Sequence, residues 1–442
     1  LLFSNKALFA LLLPLVVEQI LNSFMGMTDT IMVSNVGSTA ISAVSLVDSI
    51  NNLVIQVFSA LAAGAAIICS QYIGSGNIKA CNKAARQVVL SVSVISISIM
   101  LIGLLSRTWL LATIFGRVEP DVMTNAQIYF MITVISYPFL ALFNVGSAFF
   151  RADGNAKYPM TVSIISNVLN LIGNAIFIFV FHMGVAGAAL ATLMSRAFCM
   201  IVIFYSLHKE KQTIVINQYF KIRPDARLIK QVLAIGIPAG VENGMFQFGK
   251  LAIQSTVSAM GTTAIAAQAM TNILENVNGV VGIGVGIGLM TVVGQSIGAG
   301  RKEEAKYYMV KLTAIAEVGI FLSCLFAFAI TDAVAWIGGM EPESAALCKS
   351  MMVAITIVKP LVWTLSFIPA YGMRAAGDVK FSMIVSTCTM WFCRVALCIF
   401  LVHAFHMGPM AVWYGMFADW TIRACIFAGR FFSGRWLKMR LA

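Results

Sequence analysis

The chain has 442 residues, 60% of them hydrophobic and 11% charged, with a formal net charge of +12. A soluble protein carries about a quarter charged residues, so these values exclude a soluble globular domain and point to a chain that crosses a membrane many times. Apolar runs of about 18 residues or more, each long enough to cross a bilayer, recur from end to end. In chain order, twelve spans are expected at 7–34, 39–73, 84–106, 122–150, 158–181, 185–207, 228–259, 263–297, 305–330, 345–373, 380–402 and 409–430. The first resembles a signal peptide only superficially, because Pro14, Glu18 and Asp29 and a matching later segment place it in the mature fold.

The positions of the charges exclude a nucleic-acid partner. Lys and Arg gather in alternate loops, at Lys79, Lys83 and Arg86, at Arg151 and Lys157, within 209–230 and 301–311, at Arg374 and Lys380, and within 430–440. The opposite loops hold only Arg107, Arg117 and Lys349, beside several acids. This is the positive-inside pattern, and it predicts a multi-pass protein of the cytoplasmic (inner) membrane with both termini cytoplasmic.

The sequence is written twice. "LPLVVEQI" at 13–20 returns as "IPAGVENG" at 237–244, pairing Pro14 with Pro238 and Glu18 with Glu242 at an offset of 224. The same offset joins "GSTAISA" to "GTTAIAA", "SQYIGSGN" to "GQSIGAGR", and the two copies of "FHMG"; "FRADGNAK" and "MRAAGDVK" match at 223. Each copy holds six spans, an even number that restores the orientation. The expected fold is therefore all-α, with twelve transmembrane helices in two six-helix lobes related by a pseudo-twofold axis along the membrane normal. The N-lobe is placed at 1–207, a cytoplasmic linker at 208–226 and the C-lobe at 227–442.

Several acids fall inside the spans, where an ionised carboxylate costs at least ~2.5–3.5 kcal/mol. At 100° per residue, Glu18, Asn22, Met25 and Asp29 share one stripe of the first span, which must face protein or water. Asp48 and Asn51 on the second span correspond to Asn272 and Glu275 on the eighth, and Glu242 and Glu317 lie on the seventh and ninth. Such acids line a cavity, remain neutral, or pair with Lys250, Lys359, Arg196, Arg394 or Arg423. Asn170 and Asn174 stand four apart on one face of the fifth span. With Thr192 they are candidates to surround Asp29 with oxygen. That set suits Na⁺ at Asp29, Asn170 and Asn174, or a carboxyl that carries H⁺.

The remaining motifs carry little chemistry. "GSGN" and "GAGR" follow helices rather than strands and read as tight turns, not nucleotide loops. The nine cysteines lack a CxxC pair and read as small apolar residues. The four histidines have no evident carboxylate partner. No constellation for a membrane enzyme or channel filter stands out. No cofactor is expected.

Taken together, "GMTDTIMVSNVG", "QYIGSGN", "FRADGNAKYPM", "HMGVAGAALAT" and "IPAGVENG" resemble the multidrug and toxic compound extrusion (MATE) family, and the resemblance runs over essentially the whole chain. It implies two six-helix lobes flanking a cavity, and antiport of amphipathic organic cations against Na⁺ or H⁺ by a monomer. It also implies cation coupling at Asp29, Asn170, Asn174, Thr192 and Glu242. Glu18, Asn22, Met25, Asp48, Asn51, Phe246, Met270 and Glu275 are the expected cavity residues. Two departures stand out: Asn174-Ala175 where many relatives have Asp-Pro, and no acid in "LVWTLSFIPAYGM" of the tenth span. The alternative is a flippase for a lipid-linked oligosaccharide or another lipid, for which Lys250, Lys359 and Arg394 would serve.

Overall fold

A computed structural model describes residues 2–116, 118–209, 212–217 and 222–439. Arg117, Lys211, Lys221 and Arg440, all counted in the loop charges, lie outside them. The described residues form helices and no strands. In order these are α1 (Asn5–Ser34), α2 (Ser38–Gly74), α3 (Ile78–Phe115), α4 (Pro120–Ile135), α5 (Tyr137–Ala152), α6 (Lys157–Asn174) and α7 (Val185–Leu207). After them come α8 (Ala226–Ser258), α9 (Thr262–Gly298), α10 (Lys302–Ile337), α11 (Pro342–Ala375), α12 (Val379–Cys388), α13 (Leu397–Phe405) and α14 (Met410–Ser433). Two π-helical segments, Ala175–Val180 and Thr389–Ala396, extend α6 and join α12 to α13.

Every expected span coincides with a helix or a joined pair. Among the described residues nine are long and apolar enough to cross a membrane, and α4 with α5 makes a tenth as one span bent by 42°. The bend falls at Ser136, two residues before Pro138. The proline has no N–H to give and its ring crowds the carbonyl four residues back, so the helix cannot run straight through. The remaining two spans, α8 and α14, carry Glu242 and Lys250, and Asp419 and Arg423, which break up their apolar runs.

The repeat is legible in the backbone as well. The loop histidines His182 and His406 both adopt left-handed φ, 54° and 53°, and they stand 224 residues apart. Positive-φ glycines pair at the same spacing: Gly37 with Gly261 and Gly76 with Gly300, while Gly154 and Gly377 pair at 223. Two stretches that turn at the same residues, in conformations L side chains rarely adopt, share one backbone plan.

By packing, the chain divides into two compact units, Lys6–Gly240 and Val241–Ala442 together with residues 1–5. The boundary therefore falls inside α8. Within the N-terminal unit the first turns of α8 lie against α2, where Gly64 and Gly236 pack with Leu61 and Ile235, and Gln231 accepts from the Tyr72 hydroxyl at 3.4 Å. The linker is fastened to α3 by two amide side chains. Asn82 bonds Thr213 O and Val215 N, and Gln87 bonds Arg223 O and Asp225 N. In the C-terminal unit the Phe3 amide donates to Tyr308 Oη at 2.7 Å, and Tyr308 donates back to Phe3 O at 2.8 Å. The core of this unit brings Val257, Leu274, Met351, Ile355 and Trp413 together.

Candidate functional site

In the N-terminal unit the polar stripe of α1 meets a matching stripe on α6. Asn22 accepts from Asn167 Nδ2 at 3.2 Å and from Ser163 Oγ at 3.5 Å. Two turns further along, Asp29 accepts from Asn174 Nδ2 at 2.7 Å and from Asn170 Nδ2 at 3.4 Å. Both helices advance by seven residues between the two contacts, so they run parallel, as the first and fifth spans must. Residues seven apart return to nearly the same helix face, which is why one stripe engages at two levels. Glu18 is buried at the lower end of this stripe, and half-buried Met25 lies between.

The Asp29 pocket is unsaturated. With both amide nitrogens turned to the carboxylate, Asn170 Oδ1 and Asn174 Oδ1 are buried and accept no hydrogen bond. Buried polar atoms are nearly always satisfied, so two adjacent orphaned acceptors next to a carboxylate mark a place short of positive charge. The Thr192 hydroxyl donates to Ala188 O one turn earlier, at 3.1 Å. Among the described residues no three His, Cys, Asp or Glu side chains cluster to hold a metal; the side chains hydrogen-bonded to Asp29 here are the neutral amides of Asn170 and Asn174.

A second polar group lies on α2. Asp48 accepts from the Tyr129 hydroxyl at 3.3 Å. Asn51 donates to Thr133 Oγ1 at 3.3 Å and accepts from Tyr137. Arg196 donates to Ser136 at 2.7 Å and is close enough to both Asp29 and Asp48 to act on them electrostatically. The tyrosines on either side of the bent helix pair carry no periodic signal of their own, and sequence reasoning missed them, as it missed Ser163 and Asn167.

In the C-terminal unit Glu242, Glu275 and Asp419 are each answered by a base. Glu242 accepts from Arg374 at 3.1 Å and from Ser382 at 3.4 Å. Glu275 meets Lys359 at 2.8 Å, and buried Asp419 bridges Arg394 at 2.8 Å and Arg423 at 3.1 Å. Arg374 lies in "MRAAGDVK" and Arg151 in "FRADGNAK", so the motif pair that revealed the repeat also held the partner of Glu242 and the arginine that acts electrostatically on Glu18. Phe246 lies under two cations, Lys250 at 4.7 Å and Arg394 at 5.2 Å from its ring centre. Met270 packs beside Gly338 at the edge of the core. In the N-terminal unit an apolar cavity of about 620 Å³ is lined by Val89, Leu142, Met200 and Phe204.

Known proteins share both the sequence and the shape. The family model MatE matches residues 14–176 and again 238–400, two matches whose starts and ends both differ by the repeat offset of 224. A probable multidrug resistance protein NorM of Thermotoga maritima is 26% identical over 98% of this chain and 93% of its own length. The uncharacterized transporter YisQ of Bacillus subtilis is 26% identical over 99% and 96%. A structure described as an outward-facing conformation of a multidrug resistance MATE transporter of the MOP superfamily superposes with a TM-score of 0.90. It is 19% identical and covers 97% of this chain and 96% of that one. With both of its halves matched by the family model, this chain belongs to the MatE family of multidrug efflux transporters, secondary transporters of small organic molecules rather than enzymes.

Proposed function

We propose that the chain is a cation-coupled antiporter that exports small amphipathic molecules across the inner membrane by alternating access, with its basic loops and both termini in the cytoplasm. The observation that carries the coupling is the Asp29 pocket. There a carboxylate is held by the amide nitrogens of Asn170 and Asn174, whose buried oxygens have no donor. An incoming Na⁺ would meet one anionic and several neutral oxygens, a donor set suited to a hard monovalent ion, and an incoming proton would neutralise the same carboxylate. Either way the pocket loses negative charge on loading, which is the change a coupled cycle needs.

Glu242 is a weaker coupling candidate than Asp29, because Arg374 already neutralises it. Thr192 contributes at most hydroxyl lone pairs, its proton being committed to Ala188. Two ligands coupled by ~1–3 kcal/mol compete about 5–150-fold, enough for ion entry to release cargo.

The test is efflux of a fluorescent substrate from proteoliposomes with a Na⁺ gradient and a pH gradient imposed separately. The expected result is stimulation by one gradient in the wild type and by neither in Asp29→Asn. Undiminished gradient-driven efflux by Asp29→Asn would overturn the assignment.

A further inference from the structure

The two units place opposite polarity at corresponding places. One repeat after Asp29 stands Ile253, and one repeat after Asn170 stands Arg394. The carboxylate has gone, and a guanidinium has replaced an amide. Four cations, Lys250, Lys359, Arg394 and Arg423, join one electrostatic network with Glu275, Asp419 and, at Arg423, Glu242, whose charge Arg374 balances. Glu275 is taken by Lys359, and Asp419 is shared by both arginines. Glu317, further along on α10, forms no ion pair with any of them among the described residues, and even counted in full it leaves the group net positive. Lys250 is the cation left over.

The unsatisfied atoms invert in the same way. Around Asp29 the orphans are acceptor oxygens. In the basic network they are donors: Asn278 Nδ2, Trp420 Nε1 and Arg423 Nε are buried with no acceptor. All three side chains are at most 3% exposed. Asn278 accepts from Lys359 at 2.5 Å, Lys359 lies over the rings of Trp363 and Trp420, and Arg423 binds Asp419 at 3.1 Å. The orphans therefore belong to this network.

Lys250 forms its open end. It sits well inside the 33-residue α8 yet is exposed, and its ammonium rests on the Phe246 ring, which Arg394 shares. An exposed ammonium within a span holds its place only beside water or an anion. Aromatic faces stabilise cations without neutralising them, so the positive charge remains available to a ligand.

We propose that Lys250 and Arg394, backed by Lys359 and the acceptor-free donors behind them, form an anion-binding site, and that the molecule this protein exports carries a carboxylate or phosphate next to an apolar body that packs on Phe246. The proposal rests on the transport reading but not on the identity of the coupling ion.

The experiment is equilibrium binding to the purified protein in uncharged detergent, with no ion gradient. Dansyl-leucine is compared with its methyl ester, a pair that differs by one negative charge. The wild type is expected to bind the carboxylate about tenfold more tightly, the worth of one charge-assisted contact. Lys250→Gln loses the preference with ester affinity unchanged, and Lys250→Arg restores it. Equal affinity for both probes in the wild type overturns the proposal, as does a preference that survives Lys250→Gln. Competition separates the two sources of such an anion. Displacement by dioctanoyl phosphatidylglycerol ahead of octanoate points to a lipid headgroup, the reverse order to a free carboxylate, and displacement by neither overturns the site. Because no gradient is involved, failure here leaves the efflux test standing, and failure of that test leaves this one readable.

Discussion

Arg374 donates to Glu242 at 3.1 Å across 132 residues of sequence, and one repeat earlier Arg151 acts electrostatically on Glu18. Both units thus set an acid of the first helix of the repeat against an arginine at the end of the fifth or eleventh helix. Both side chains of the Glu242 pair are largely buried, 17% and 12% exposed. Breaking a buried pair from one side strands a charge and costs about 3–5 kcal/mol, whereas removing both partners costs less. Glu242→Gln should therefore melt below the Glu242→Gln/Arg374→Gln double variant in detergent. A double variant that melts lower than the single would show that the pair gives no such protection.

Asp419 has two guanidinium partners and no exposure. Its replacement by Asn leaves Arg394 and Arg423 buried with no counter-charge, again at about 3–5 kcal/mol or more. The expected outcome is a large drop in melting temperature and in monodisperse yield. An unchanged melting curve would mean the bridge is not structural.

The Asp29 pocket gives a graded prediction. Asn174 makes the shorter bond, 2.7 Å against 3.4 Å for Asn170. Asn174→Ala should lower the apparent affinity for the driving ion by about tenfold, as expected for one charge-assisted contact. Asn170→Ala should lower it less. The half-saturating ion concentration for efflux reads both, and the reverse order would count against this geometry.

Close packing predicts a contrast on α14. A Cβ on Gly415 would lie 2.7 Å from the carbonyl oxygen of Arg394, a backbone atom that cannot swing aside, whereas one on Gly429 would meet nothing within 4 Å. Gly415→Ala should cost about 1–3 kcal/mol by overpacking. Gly429→Ala should be neutral or stabilising, since Ala favours a helix over Gly by about 0.5–1 kcal/mol. Thermal unfolding of the two variants side by side checks the contrast.

Spans and repeat were readable from sequence because hydropathy and a fixed offset are one-dimensional signals. The facing of Asn170 and Asn174 was readable too, since residues four apart share a helix face, and their contact with Asp29 follows once α1 and α6 are neighbours. What escaped reading depends on which helices pack together. Nothing local announces that Tyr129 will reach Asp48, or that the Arg of one repeated motif will answer the Glu of another. At Thr192 the hydroxyl finds the carbonyl one turn back, a bond a helical hydroxyl makes at no cost in packing. Pro138 was visible in the sequence, yet only the placement of Ser136 shows that the fourth span bends there by 42°.

The packing boundary inside α8 bears on how the molecule is made. The opening turns of that helix finish the N-terminal unit, while residues 2–5 settle against α10. A nascent chain halted at the linker would thus hold six spans with Leu61 and Gly64 still uncovered, awaiting α8 to seal them. Residues 2–5 would wait longer still, until the ninth span had left the ribosome and entered the bilayer. Biogenesis must keep both segments unaggregated in the interval, because each packing unit borrows residues that lie outside its own repeat.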